Sequence, residues 1–317
     1  MSARETAMAQ TAVDRVAAAQ ARVDLGVPAY AHPLVDPGLW SRLADAAAHV
    51  RFAVVNVHDG PGAALDDAYP DVLLRLADAR VRAVGYVDSD YARRPAADCG
   101  ADARAWVTRY GLRGVFLDQV SQGFDDLEHY SDVVLAVRAA GAPFVVLNPG
   151  TDCHPAYADL ANVVVVFEGP WERYTRWSPP DWCLRLPSAR FCHLVHDVPA
   201  DALTSAPAAA AARHAGTAFF SDGRGANPWD RLPPALVEAV ASAHPQVAPA
   251  PSSAAPVWRP RRYATADEAV PRTPTGLRAR LLRLDLHRPG RPARLQAPPA
   301  PHEPRVPHGP SEQGDPR

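Results

Sequence analysis

The sequence predicts a (β/α)8 barrel with a disordered Pro-, Arg- and Ala-rich C-terminal tail. Eight short, β-branched apolar runs occur within about 220 residues, and stretches with helical spacing separate most of them. Several runs are almost continuously apolar, as in parallel strands covered on both faces. This pattern favours a closed barrel over an open doubly wound sheet, which remains the alternative. No Gly-x-Gly-x-x-Gly follows the first run, which argues against a dinucleotide-binding sheet.

The elements alternate regularly along the chain, except where Trp, Pro and Arg are concentrated between Gly169 and Arg190. That region predicts a loop excursion after the sixth strand. The predicted strands are Leu25–Tyr30, Phe52–Val57, Val81–Val87, Gly114–Leu117, Phe144–Leu147, Val163–Phe167, Phe191–Val195 and Thr217–Phe220. The predicted helices are Gly38–His49, Asp66–Asp78, Cys99–Tyr110, Asp125–Ala140, Ala200–Ala212 and Pro233–Ser242.

Composition divides the chain into three parts. Residues 1–24 predict a helical or disordered extension, residues 25–244 the barrel, and residues 245–317 a disordered basic tail. From Pro251 onward, 12 Arg oppose 6 Asp and Glu, a balance of +6. Because the net charge of the whole chain is −2, residues 1–250 carry −8, which argues against nucleic-acid binding by the barrel.

The tail segment Gly276–Arg288 has leucines at helical spacing. The tail therefore either contacts a partner or an anionic membrane, or forms only a transient helix.

The chain contains no lysine, which excludes Schiff-base and P-loop lysine chemistry. The four cysteines have no metal-knuckle spacing and predict free thiols, with a Cys183–Cys192 bridge as the alternative. The N-terminus lacks the apolar region of a secretory signal, and no segment is apolar enough to span a membrane. We therefore expect a cytoplasmic protein; a misassigned start or a non-classical secretion route remains open.

Polar side chains follow nearly every predicted strand. In such barrels the active site forms at the C-terminal strand ends, so these side chains predict a hydrogen-bonding pocket suited to a sugar. We expect the following residues to contact substrate there: Tyr30, His32, Asn56, Tyr86, Asp88, Gln119, Asn148, Trp171 and Asp222.

Two carboxylates, Asp118 and Glu168, directly follow uninterrupted apolar runs. Strand alternation predicts that Asp118 shares a face with Phe116, and Glu168 with Val164 and Val166. Two carboxyl groups across a barrel rim supply the acid and the base or nucleophile of glycoside hydrolysis. The alternative is that each carboxylate caps a helix or pairs with an arginine.

Two other catalytic classes receive less support, and we expect no metal and no cofactor. His193 and His196 with Asp197 suggest a metal-dependent hydrolase, but an His-x-x-His strand places its imidazoles on opposite faces. No Gly-x-Ser-x-Gly elbow supports a serine nucleophile.

Six blocks of the chain, in order, resemble spherulation-specific family 4, the spherulin-4 family. They are Gly26-Val-Pro-Ala-Tyr-Ala-His-Pro33, Val55-Asn-Val-His-Asp-Gly-Pro-Gly62, Val84-Gly-Tyr-Val87 with Tyr91 and Arg94, Gly114-Val-Phe-Leu-Asp118, Leu147-Asn-Pro-Gly-Thr151 and Val164-Val-Val-Phe-Glu168. The resemblance implies a (β/α)8 glycoside hydrolase acting on α-1,4-linked galactosaminogalactan, an amino-sugar polysaccharide. The acidic residues that such members carry after strands four and six correspond to Asp118 and Glu168.

The chain departs from the family pattern at two positions. Relatives commonly carry Asp-Glu after strand four, whereas this chain has Asp118-Gln119. Glutamine cannot donate a carboxylic proton, although it can hydrogen-bond a sugar. His58 also stands where a small residue or proline is expected. A non-catalytic carbohydrate-binding or developmental protein is therefore the alternative to a hydrolase, and Trp171, Tyr174, Trp177 and Trp182 would suit sugar stacking or packing equally.

Overall fold

The computed structural model describes residues 22–225 and 227–243 and contains a closed barrel of eight parallel strands. Consecutive strands are neighbours, and β1 pairs with β8 to close the barrel. The strands are β1 Asp24–Ala29, β2 Val50–Val55, β3 Ala83–Asp88, β4 Gly114–Asp118, β5 Phe144–Leu147, β6 Val163–Pro170, β7 Phe191–His196 and β8 Thr217–Phe220. The barrel predicted from the sequence is thus confirmed, and the open sheet is excluded.

The helices lie between successive strands and cover the outside of the barrel. They are α1 Pro37–Asp45, α2 Tyr69–Asp78, α3 Ala96–Tyr110, α4 Leu127–Ala139, α5 Tyr157–Leu160, α6 Trp171–Arg176, α7 Ala206–Ala212 and α8 Pro234–Ala243. Local signals fix some of their ends. The Asp36 carboxylate accepts a hydrogen bond from the Leu39 backbone N–H, and Pro37 occupies the first helical position of α1. The last turn of α3 ends at Gly111, whose φ of 71° is left-handed.

The predicted strands β5 and β8 have the observed bounds, whereas other element ends differ by a few residues. The predicted excursion from Gly169 to Arg190 contains the end of β6, the short helix α6 and two 3-10 turns. The last turns of the predicted helix at Ala200–Ala212 form α7, but its first six residues do not. The predictions for residues 1–21 and for the tail concern residues outside the described part of the chain.

Strand register decides which side chains enter the barrel. Gly85 lies against the Trp106 ring of α3, so it faces outward and its neighbour Tyr86 faces inward. Tyr86 pairs with Phe116, and the next inward pair in the same register is Asp88 with Asp118. Asp118 therefore shares the inner face with Phe116, as predicted.

The predicted face of Glu168, the one it was expected to share with Val164 and Val166, was wrong. Val163 is the partner of the inward residue Val146, so Val164 faces outward. A bulge between Val165 and Phe167 then shifts the alternation by one residue. Glu168 consequently enters the barrel on the face of Val165, not on that of Val164.

Burial of apolar side chains is continuous between the barrel and its helices. All four cysteines are buried and free, so the alternative Cys183–Cys192 bridge is not formed. No helix within residues 22–225 and 227–243 has the length and apolar character needed to cross a membrane.

Substituting Gly85 with alanine should destabilise the barrel. A Cβ at this position would overlap the ring of Trp106, which is fully buried and donates its indole N–H to the Tyr86 carbonyl at 2.8 Å. Overpacking of this kind typically costs ~1–3 kcal/mol, which denaturant unfolding would measure. Gly123→Ala is the matched control, because its Cβ would meet only one atom, at 4.0 Å. Equal stability of the two variants would contradict the packing argument.

Candidate active site

The two predicted carboxylates converge on one amide at the mouth of the barrel. The side-chain amide nitrogen of Asn148, which follows β5, donates to Asp118 Oδ1 at 2.7 Å and to Glu168 Oε2 at 2.6 Å. Those two oxygens are therefore no farther apart than 5.3 Å, the sum of the two distances. Strands β4, β5 and β6 are neighbours, which is why residues distant in sequence form one cluster.

Asp118 receives more hydrogen bonds than Glu168. The Tyr86 hydroxyl donates to Asp118 Oδ2 at 2.9 Å, in addition to the bond from Asn148 to the other oxygen. Burial raises the pKa of Asp118, while the bonds from Tyr86, the Gln119 backbone and Asn148 lower it. Burial is the larger effect, so the pKa of Asp118 is raised on balance, but the three bonds counteract part of the cost of ionising it.

Glu168 is the more easily protonated member of the pair. Burial first, and the nearby charge of Asp118 second, raise its pKa to about 7. The bond from Asn148 and the charge of Arg173 oppose this shift only in part. A carboxyl group with this pKa exists in both protonation states near neutral pH, as a general acid requires.

The turn after β5 fixes the position of Glu168. The Glu168 backbone N–H donates to the Gly150 carbonyl at 2.8 Å. Gly150 has a left-handed φ of 66°, and a Cβ there would lie 3.3 Å from the Glu168 Cβ. Asn148 is 4% exposed, and its side-chain oxygen has no hydrogen-bond partner among the described residues. A ligand hydroxyl or N–H group would satisfy that oxygen.

A cavity of about 410 Å³ opens beside Asp118. Four of the predicted site residues line it: Tyr30, Asn56, Tyr86 and Asp118. The other lining residues are Val57, His58, Asp59, Asn227 and Trp229. Asn227 and Trp229 were missed by the sequence analysis because they lie several residues beyond β8, and only the aromatic character of Trp229 indicated a role.

Gln119 lies beside the pair in a constrained backbone conformation. Its φ is 52°, and its carbonyl accepts bonds from the Ser89 hydroxyl at 3.0 Å and from the Tyr91 N–H at 2.8 Å. The Gln119 side chain is also a hydrogen-bond neighbour of Tyr86. Gln119 is therefore placed to contact a ligand, but it supplies no carboxyl group.

Four predicted substrate-binding residues have structural partners or lie outside the cavity lining. Both nitrogens of His32 are engaged, one with Asp66 at 3.0 Å and the other with a backbone N–H at 3.2 Å. The Asp88 carboxylate accepts the Asp90 N–H at 2.7 Å. Trp171 packs against Tyr174 and Phe220. Asp222 follows Ser221 and has one buried carboxylate oxygen without a partner among the described residues.

Trp177, Trp182 and the β7 residue His193 pack against neighbouring aromatic side chains. Tyr174 and Trp177 stack on each other and contact His193, whose Nδ1 lies 2.9 Å from the Tyr174 hydroxyl. Trp182 donates to Asp152 and packs on Phe191. In residues 22–225 and 227–243, no three or more His, Cys, Asp or Glu side chains are grouped to hold a metal ion.

Two known proteins are similar to this chain, one in part of its sequence and one in its fold. Spherulin-4 of Physarum polycephalum is 32% identical over 151 residues, which cover 46% of this chain and 45% of that protein. The match thus spans less than half of that relative. The solved structure of Aspergillus clavatus Sph3 in complex with GalNAc is 24% identical, with a TM-score of 0.61 over 70% of this chain and 97% of the other. The model of spherulation-specific family 4 matches residues 24–243, well over half of the sequence. The chain therefore belongs to spherulation-specific family 4.

Proposed function

We propose that the protein is a glycoside hydrolase that cleaves an amino-sugar polysaccharide of the galactosaminogalactan type. The observation that carries the proposal is the Asp118–Glu168 pair, joined through Asn148 at the C-terminal mouth of the barrel. The structural relative Sph3 was solved with GalNAc, an amino sugar, which supports this substrate class.

The environments of the two carboxyl groups assign them different roles. Glu168, with its pKa raised to about 7, protonates the leaving glycosidic oxygen. Asp118, stabilised as an anion by Tyr86 and Asn148, attacks the anomeric carbon as that bond breaks, forming a glycosyl ester. Glu168, now ionised, removes a proton from water, whose oxygen attacks the anomeric carbon and releases Asp118.

The distance between the pair supports a double-displacement reaction. Retaining enzymes hold their carboxyl groups roughly 5–5.5 Å apart, whereas inverting enzymes leave roughly 6.5–9.5 Å for a water molecule. The two bonded oxygens lie within 5.3 Å of each other, closer than the separation of an inverting pair, which favours retention. The sugar released by the first turnover should therefore keep its anomeric configuration.

Gln119 favours the second candidate function, a protein that binds the same polysaccharide without cleaving it. Its amide cannot replace a carboxylic acid. The roles of acid and nucleophile are nevertheless both filled by Asp118 and Glu168, so we place Gln119 among the groups that position the sugar.

Glu168→Gln should abolish release of sugar from partially deacetylated galactosaminogalactan. The substitution keeps the shape of the side chain but removes its proton donor, and loss of general acid catalysis costs about 10²–10⁴-fold. Reducing-sugar assays on the full chain would measure this. Glu172→Gln is the matched control, because Glu172 lies on α6 with 78% of its side chain exposed.

Stability measurements separate a catalytic loss from misfolding. The raised pKa means that ionised Glu168 disfavours the folded state. The stability that protonated Glu168 contributes is therefore fully present below pH 4.5, its ordinary pKa, and is lost as the pH rises through about 7. At pH values above 7, Glu168→Gln should therefore unfold no more easily than wild type. Wild-type inactivity with activity appearing in Gln119→Glu would instead support the binding-only function, and activity retained in Glu168→Gln would contradict our proposal.

The pH dependence of kcat/KM should be bell-shaped. Activity should fall as pH rises above about 7, because Glu168 loses its proton, and on the acid side as Asp118 becomes protonated. Tyr86→Phe removes a donor to ionised Asp118 and should move the acid limb to higher pH. A pH profile with no alkaline limb near neutrality would contradict the role of Glu168.

A further inference from the structure

The described residues include two strongly exposed aromatic side chains, and both follow strands that supply the candidate active site. Tyr91, after β3, is 52% exposed, and Phe124, after β4, is 61% exposed. The other aromatic side chains of the described residues are buried or partly buried. Both residues therefore lie on neighbouring loops at the same rim as Asp118.

The backbone around Tyr91 is held in an unusual conformation. Asp90, Tyr91 and Ala92 have φ values of 48°, 50° and 68°, all in the left-handed region. Such strain persists only where surrounding contacts enforce it, and it is common at ligand-binding sites. Here the Tyr91 N–H donates to the Gln119 carbonyl at 2.8 Å, which ties the turn to the residue after Asp118.

Neighbouring side chains hold the two rings in place. The guanidinium of Arg93, which pairs with Asp90, lies over the Tyr91 ring at 5.8 Å from its centre. The His154 ring packs against Phe124 at a centroid distance of 4.9 Å. Each aromatic ring is thus supported, while each residue remains more than half exposed.

The polar surroundings of the two rings favour a sugar as the ligand. Gln122 and Asp125 flank Phe124 and are exposed, and Asp90 adjoins Tyr91. Asp125 and the Asp90–Arg93 pair give this surface no excess of positive charge, which an anionic membrane would require. An aromatic face bordered by hydrogen-bonding groups matches a sugar ring, which has an apolar face and a rim of hydroxyl groups.

The order of the strands places the Phe124 loop across the barrel from the part of the cavity lined by Trp229, with the Tyr91 loop beside it. In a closed barrel of eight strands in chain order, β4 lies across from β8. The cavity reaches from Asp118 to Asn227 and Trp229 after β8, whereas Tyr91 and Phe124 follow β3 and β4. A polysaccharide that occupies the cavity and continues past Asp118 would reach the loops that follow β3 and β4.

We propose that Tyr91 and Phe124 form a distal sugar-binding subsite, which holds the part of the polysaccharide that extends beyond the carboxylate pair. The inference rests on the proposed polysaccharide substrate. A site that binds sugar units on both sides of the cleaved bond has a higher affinity for long chains than for short ones. It also cleaves bonds in the interior of the chain.

The test compares a trisaccharide with the intact polymer, in both binding and cleavage. Calorimetric binding is measured on the full chain carrying Glu168→Gln, so that the polymer is not consumed. Adding Tyr91→Ala and Phe124→Ala should weaken binding of partially deacetylated galactosaminogalactan about tenfold, with a much smaller change for its trisaccharide. Tyr91→Phe, which keeps the ring, should restore most of the affinity lost in the single variant Tyr91→Ala.

Leu135→Ala is the matched control, because Leu135 is 50% exposed on α4 outside the site and its loss should leave binding and cleavage unchanged. In the active background, the double alanine variant should raise KM for the polymer more than it lowers kcat. An unchanged preference for the polymer would overturn the subsite while leaving the proposed hydrolysis intact. No cleavage of the polymer by the wild type, together with no binding of either ligand by the Glu168→Gln protein, would overturn both.

Discussion

The candidate site depends on one contact, the hydrogen bonds from the Asn148 amide to Asp118 and Glu168. Two buried carboxylates at this distance repel each other, and burial disfavours the charge on each. A shared donor reduces that cost while Glu168 stays partly protonated near neutral pH. The pair is therefore kept close enough for a double displacement without being fully ionised.

The barrel supplies the geometry that this contact requires. Parallel neighbours β4, β5 and β6 bring Asp118, Asn148 and Glu168 to one rim, and the bulge in β6 turns Glu168 inward. Without that shift, simple alternation would direct Glu168 toward the helices. The left-handed backbone at Gly150 then allows the β5 turn to approach the glutamate closely. Backbone irregularities thus position the acid, and regular strands position its partner.

Much of this arrangement could be predicted from the sequence, because it follows from local patterns. Continuous apolar runs identified all eight strands, and the polar residue that ends each run identified Asp118, Asn148 and Glu168. The bulge at Val166 could not be predicted, since four consecutive valines carry no signal of a register shift. Trp229 was missed because its approach to the cavity depends on the path of the loop after β8. The partners of His32 likewise depend on tertiary contacts with Asp66.

The most direct test of the central claim is a carbon NMR titration of the Glu168 side-chain carboxyl in the full chain. The account predicts a pKa of about 7, which falls when Asp118→Asn removes the neighbouring negative charge. Glu172, exposed on α6, provides an internal reference in the same spectra. A Glu168 carboxyl that titrates near its ordinary 4.5, and does so equally in Asp118→Asn, would contradict the account.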